Sequence, residues 1–207
     1  MILLHPGYFN PIIHYVTILQ SPDCKLEVED NFQKQTYRTR SYIYSPNGKQ
    51  LLNVPIQRDK NKTSKTKTKD ILIDYENENW RTNHLKSLQT AYRSSPYFEF
   101  YEDDIKAVFD KKHKYLLDLN LATQEFILDA LQEESCILNK TTEYHFIEEE
   151  IFDYRTLINA KKDIPFLLKP YTQMFDEKHG FIENLSILDL LFMQGPSASI
   201  YLLKQEI

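Results

Sequence analysis

Apolar positions divide the chain into a strand-rich first third and a helical remainder. Ile2-Leu3-Leu4 is a short apolar run bounded by His5-Pro6-Gly7, which reads as a buried strand entering a loop. Pro11 suits the first turn of a helix whose apolar positions are Ile12, Ile13, Val16 and Leu19, and Ser21-Pro22-Asp23 stops that helix. Residues 24–29 read as a second strand. The opening unit is therefore strand, loop, helix, strand, the order of a parallel βαβ crossover. Residues 37–45 and 50–56 alternate around Ser45-Pro46-Asn47-Gly48, and Asn-Gly predicts a hairpin turn. A Lys/Thr-rich stretch from Arg58 to Lys69 has almost no apolar residues and reads as a loop. Asp70-Ile-Leu-Ile-Asp74 then reads as a strand.

From Asn79 the period changes from 2 to 3.6. Leu85, Leu88 and Tyr92 share one helical face. Ser95-Pro96 reads as an N-cap and first helical residue, starting a helix that runs to about Asp110. Residues 115–132 form a longer amphipathic helix with Leu116, Leu119, Ala122, Phe126 and Ile127 on its core side. The segment 134–175 follows neither period. Ser186 opens an apolar helix through Phe192, with Asp189 at capping-box spacing, and Gly195-Pro196 ends it before a last helix over 197–204. The pattern predicts an α/β domain over 1–207, a small Rossmann-like sheet with additional C-terminal helices.

Composition narrows the function classes. A net charge of −5 and 27% charged residues without a basic excess argue against nucleic acid as a partner. No stretch approaches the apolar length of a membrane span. Met1-Ile-Leu-Leu-His5 lacks the basic start of a signal peptide, so the expected location is the cytoplasm. The two cysteines, Cys24 and Cys136, stand far apart and suit a reducing compartment. The six histidines show no metal spacing, so no metal site is expected.

Four segments carry a family resemblance. They are Leu4-His5-Pro6-Gly7-Tyr8-Phe9-Asn10-Pro11; Asp30 through Lys34, Thr36-Tyr37 and Arg40, followed by Gly48 and Val54-Pro55; Trp80-Arg81 through His84 and Ala91-Tyr92 to Pro96-Tyr97-Phe98; and Phe181 through Asn184, Ser186 and Asp189 to Gly195-Pro196. In this order they resemble the WbqC-like family of bacterial surface-polysaccharide clusters. The sequence departs from that family's pattern after His5, where the usual Gln is displaced to give His-Pro-Gly-Tyr, at Thr39, where the usual residue is Asn, and in a shortened region 140–170, where a Tyr-x-Ser-Gly stretch has no counterpart. The resemblance implies a transferase of O-antigen or related polysaccharide synthesis, with aminoacyl (glycine) transfer to a sugar nucleotide as its suggested chemistry. A non-catalytic ligand-binding or assembly protein of the same family is the alternative.

The candidate residues follow from these motifs. His5 and Tyr8 sit between a strand and a helix, a layout similar to the H-x-G-H loop of nucleotidyltransferases with Tyr in place of the second His. There a helix N-terminus holds nucleotide phosphates; a polar cleft of another kind and a structural loop are the other readings. Lys62-Thr63-Ser64-Lys65-Thr66 is superficially similar to the mobile K-M-S-K-S loop of those enzymes; a solvated loop is the alternative. Lys34 and Arg40 share a face if their strand is continuous, and with Asp30 and Tyr37 they suit a phosphate or carboxylate; an ion-paired surface strand is the alternative. His84, on one helical face with Trp80 and Tyr92, is a candidate general base or a buried, hydrogen-bonded core histidine. Asn184 and Asp189 are candidates for substrate contact or for capping. The expectation is His5 and His84 as catalytic residues, and Tyr8, Asp30, Lys34, Tyr37, Arg40, Asn184 and Asp189 as substrate contacts. The partner is an anionic small molecule such as a nucleotide sugar, with ATP or a nucleotide sugar as the ligand to be tested.

Overall fold

The computed structural model describes residues 1–21, 23–57, 66–76, 79–133, 139–144, 152–162 and 166–206. Within them the protein has a mixed α/β fold. Strand β1 (Ile2–Leu4) leads through the loop 5–11 into helix α1 (Ile12–Leu19), and strand β2 (Cys24–Leu26) returns parallel to β1. A hairpin of β3 (Arg40–Ser45) and β4 (Gly48–Asn53) follows, closed by the Ser45↔Gly48 pair. Then come helices α2 (Trp80–Tyr92), α3 (Phe98–Asp110) and α4 (Leu116–Ala130), strands β5 (Asn139–Lys140) and β6 (Phe152–Asp153), and helices α5 (Asp176–His179), α6 (Ile187–Gln194) and α7 (Ala198–Leu203).

The main sheet has the order β5-β2-β1-β6 and every pair in it is parallel. Its strands are short, two or three residues each. β1 is wholly buried, as a central strand covered on both faces must be. From β1 the chain moves one way to β2 and β5 and then to the other side for β6. The reversal places a topological switch point between β1 and β6, where open α/β sheets bind ligands outside the carboxyl ends of the strands.

Several expectations shift for local reasons. The second strand stops at Leu26, because the Glu27 carboxylate accepts the Glu29 backbone N–H at 2.8 Å and bends the chain. Residues 70–74 are not a strand. Thr68–Asp70 make a 3-10 turn, and beyond it Ile73 and Leu72 make only single bridges, to Ile56 and Tyr115. α3 begins after Tyr97, not at Ser95, whose hydroxyl is buried without a partner. α1 is buried on all sides from Ile12 to Ile18, although its sequence shows one apolar stripe. α6 and α7 pack against it, so His14, Tyr15 and Thr17 are enclosed as well. Ser186 does cap α6, accepting the Leu188 N–H, but Asp189 takes no part in a capping box, and the Ser186 N–H goes instead to the Tyr42 carbonyl. The segment Lys62–Lys65, expected as part of a loop, lies outside the described residues.

Candidate functional site

The carboxyl edge of the sheet gathers charge. Each strand end delivers a polar residue there: His5 after β1, Glu27 after β2, Thr141 after β5, and Asp153 with Arg155 at β6. The parallel ladder continues just far enough to place them, through Glu27 N–H to the Leu4 carbonyl, Thr141 N–H to Leu26 and Tyr154 N–H to Leu3. Asp30 and Arg38 come from the segment between β2 and β3 and complete the group. Glu27 and Arg38 have no exposure, and Asp30, His5 and Arg155 keep only 4–8%. Charges that deep require pairing.

The pairing is specific. Arg38 Nη2 donates to Asp30 Oδ2 at 2.7 Å, and the Thr68 hydroxyl donates to Asp30 Oδ1 at 2.7 Å. Arg155 forks onto Asp153 through Nε and Nη2 at 2.9 and 2.8 Å and stands 3.7 Å from Glu27 Oε2. The Thr141 hydroxyl donates to Glu27 Oε1 at 2.9 Å. His5 Nδ1 lies 3.1 Å from the Glu27 carbonyl, which only accepts, so Nδ1 carries the hydrogen and Nε2 carries the lone pair. Burial, then the Arg38 guanidinium, hold the His5 pKa down at about 3, so the ring is neutral near pH 7. Its Nε2 stands 3.8 Å from Asp30 Oδ2. Two proton acceptors therefore face one another beyond hydrogen-bond reach. Burial raises the Asp30 carboxyl in spite of Arg38 and Thr68, while the Arg155 fork lowers Asp153.

The loop that carries His5 is held under backbone strain. Phe9 has φ +40, unusual for a bulky residue and costing about 1–3 kcal/mol. Its carbonyl accepts both the Ser41 and Ser186 hydroxyls at 3.0 Å, and its ring packs against Phe109 and Phe126. The first turn of α1 does not present a free anion site. Ile12 N–H donates to the Leu185 carbonyl and Ile13 N–H to Asn184 Oδ1, both at 3.0 Å. The nucleotidyltransferase-like phosphate cradle expected at this helix end is thus occupied by the chain's own segment 184–185.

Of the residues expected from sequence, the structure brings His5 and Asp30 together at the sheet edge. It joins Tyr8 to His84 in a separate cluster, with Tyr8 Oη 2.9 Å from His84 Nδ1 and Trp80 packed on both rings. His84 is buried, its backbone partner is Asn53, and burial lowers its pKa to about 4. Tyr37 is tied to the loop through its carbonyl, which accepts the Tyr8 N–H, and burial raises its phenol to about 12. Lys34 lies exposed in a turn, so it shares no strand face with Arg40, which opens β3 opposite Asn53. Asp189 is enclosed, accepting from Tyr92 and Tyr171 at 2.6 Å each and from Gln173 at 3.2 Å. An open groove of about 580 Å³ between α3 and α4, with His113 and Phe126 in its wall, is lined by none of these residues.

Sequence reasoning missed Glu27, Arg38, Asp153 and Arg155. The usable signal was an acidic residue beside an apolar one at two short strands, Leu26-Glu27 and Phe152-Asp153. Arg38 and Arg40 look alike in Arg-Thr-Arg, and only the fold shows that β3 begins at the second.

The fold is thus of the α/β class, a short parallel sheet with a polar, largely buried cluster at its switch-point edge. The sequence profile of the WbqC-like protein family matches residues 6–164, and the chain belongs to that family. The match begins at Pro6, one residue after His5, takes in the rest of that loop, the Asp30–Arg38 segment and Arg155, and ends before the segment 181–196. No curated protein and no solved structure matches the chain. Among the described residues no helix is long and apolar enough to cross a membrane.

Proposed function

We propose that the chain acts as a transferase of surface-polysaccharide assembly, working in the cytoplasm as one unit over 1–207 on an anionic substrate such as a nucleotide sugar. The observation that supports this reading is the pair of facing acceptors, His5 Nε2 and Asp30 Oδ2, at the switch-point edge. A hydroxyl or amine entering that gap meets two groups able to take its proton, and Asp30 is the better base because burial raises its proton affinity. Arg38 and Arg155 flank the gap and suit the charge of a phosphate or carboxylate. Aminoacyl transfer needs such a base to deprotonate the attacking nucleophile. Tyr8 and His84 support the loop from behind, and Tyr37 fixes its backbone.

The alternative, a binding or assembly protein without catalysis, is favoured by one feature: each guanidinium already has a carboxylate partner. Calorimetry with ATP, amino acids and nucleotide sugars, followed by mass-spectrometric detection of acylated sugar, separates the two. The transferase reading expects a nucleotide sugar to bind wild type and Asp30→Asn alike, with product formed only by wild type. Binding without any product supports the alternative, and no binding by any member of the panel defeats both.

A further inference from the structure

The open groove of about 580 Å³ between α3 and α4 stands apart from the sheet-edge cluster. Two helical stripes make its walls. Tyr101, Asp104 and Val108 come from α3 at spacings of three and four, and Ala122, Phe126 and Ala130 come from α4 at spacings of four. From Ala122 to Ala130 the trough is about 12 Å long at the helical rise. Its floor is apolar and its rim is acidic, with Asp104, Glu125 and Asp129 set against Lys111. Among the described residues none of these four has an ion-pair partner. Elsewhere on α3 the carboxylates are met: Glu102 and Asp103 share Lys106, and Glu102 also faces Arg93. His113 stands in the groove wall, 7% exposed, and its Nε2 has no partner. Native interiors seldom leave a polar atom in that state. Burial, then Lys111, lowers the His113 pKa, so the ring is neutral near pH 7.

We propose that this groove docks a basic, amphipathic segment of a partner protein, with an apolar side chain over Phe126 and lysine or arginine against the three carboxylates. The proposal is independent of the transferase reading. Charge complementarity selects the occupant. Three carboxylates outnumber one ammonium at the rim, so an acidic or phosphorylated segment is repelled. A second copy of this chain, at net charge −5, meets the same repulsion. The apolar floor selects against a segment that is basic but wholly hydrophilic, because Phe126 and Val108 then stay uncovered. The neutral His113 ring adds one donor or acceptor at Nε2, and a peptide backbone answers either tautomer. A trough of this length takes about four extended residues or about two helical turns. Access is from solvent, past Asp104, Ala107 and Glu125, which are exposed.

Fluorescence anisotropy on the full chain tests the docking with a dye-labelled hexapeptide, acetyl-Lys-Arg-Phe-Leu-Arg-Lys-amide, for which saturable binding is expected. Two controls keep its length. Acetyl-Lys-Arg-Ser-Gly-Arg-Lys-amide lacks the apolar pair, and acetyl-Glu-Glu-Phe-Leu-Glu-Glu-amide lacks the cations. Each should bind at least about tenfold more weakly. The triple variant Asp104→Asn, Glu125→Gln, Asp129→Asn should weaken the basic hexapeptide about tenfold, the sum of three exposed ion pairs. Ala107→Arg, which adds a cation to the groove, should weaken it as well, and so should His113→Leu, which removes the ring nitrogen. Glu99→Gln, on α3 outside the groove, should bind like wild type. Apart from His113, the substituted positions are exposed, so those variants should melt with wild type. No binding of the amphipathic hexapeptide, equal binding of all three peptides, or a triple variant that binds like wild type overturns the docking surface. If 2-phenylethylamine binds as tightly as the hexapeptide, the groove is a small-molecule site and the docked segment falls.

Discussion

Two buried polar clusters in this molecule are built in opposite ways. Around Asp189 every group is met at short range. Its carboxylate accepts Tyr92 and Tyr171 at 2.6 Å and Gln173 at 3.2 Å, and the Tyr92 hydroxyl in turn accepts the Tyr44 N–H at 2.9 Å. That cluster joins α6, α2, the hairpin and the 171–173 segment, and it leaves no acceptor lone pair facing another. At the sheet edge the guanidiniums are paired as tightly, yet His5 Nε2 and Asp30 Oδ2 stand 3.8 Å apart with no proton between them. A satisfied network locks elements together. In the proposed function, the network with one slack contact, beside a strained loop and at a switch point, is where a ligand's proton enters.

The comparison breaks most sharply at Arg38. Arg38→Met leaves the Asp30 carboxylate buried without its charge partner and should cost about 3–5 kcal/mol in urea unfolding. Adding Asp30→Leu to that variant should recover most of the loss, and a double variant as unstable as the single one would show that the pair is not a unit. In the closed cluster, Asp189→Leu strips the acceptor from two buried phenols and should cost about 2–4 kcal/mol. A smaller cost there would mean that the phenols find other partners.

Acid sharpens the contrast further. Burial lowers His5 and His14 to about 3 and His84 to about 4, from 6.5. A depressed folded pKa means that the unfolded chain binds the extra proton, so the stability from these rings is complete above pH 6.5 and lost as pH falls toward 3 to 4. At pH 5 each contributes a loss of about 2 kcal/mol, visible as a lower urea midpoint than at pH 7.5. His14→Phe should remove one such share and flatten the profile. Asp30 and Asp189 act with the opposite sign, because burial raises their folded pKa and their contribution fades as pH rises through it. A midpoint unchanged between pH 7.5 and 5 would mean that these histidines are not buried as described.

Sequence period and turn chemistry by themselves determined the elements: the apolar run of β1, the Asn47-Gly48 hairpin, the 3.6-residue periods of α2, α3 and α4, and the Ser186 cap. Four motif segments, read separately, carried the family resemblance, and His5 and Asp30 stood out as polar residues beside strand ends. Only the tertiary structure decided that β6, 126 residues beyond Leu26, would lie against β1 and bring Asp153 and Arg155 to His5. Only it decided that Arg38 would be buried while Lys34 stays exposed, and that Asn184 would close the first turn of α1. The physical reason is range. Period and capping act across a few residues and are written locally. Which charges share a low-dielectric site depends on the order in which short parallel strands pair, and that order is set by the packing of the whole chain.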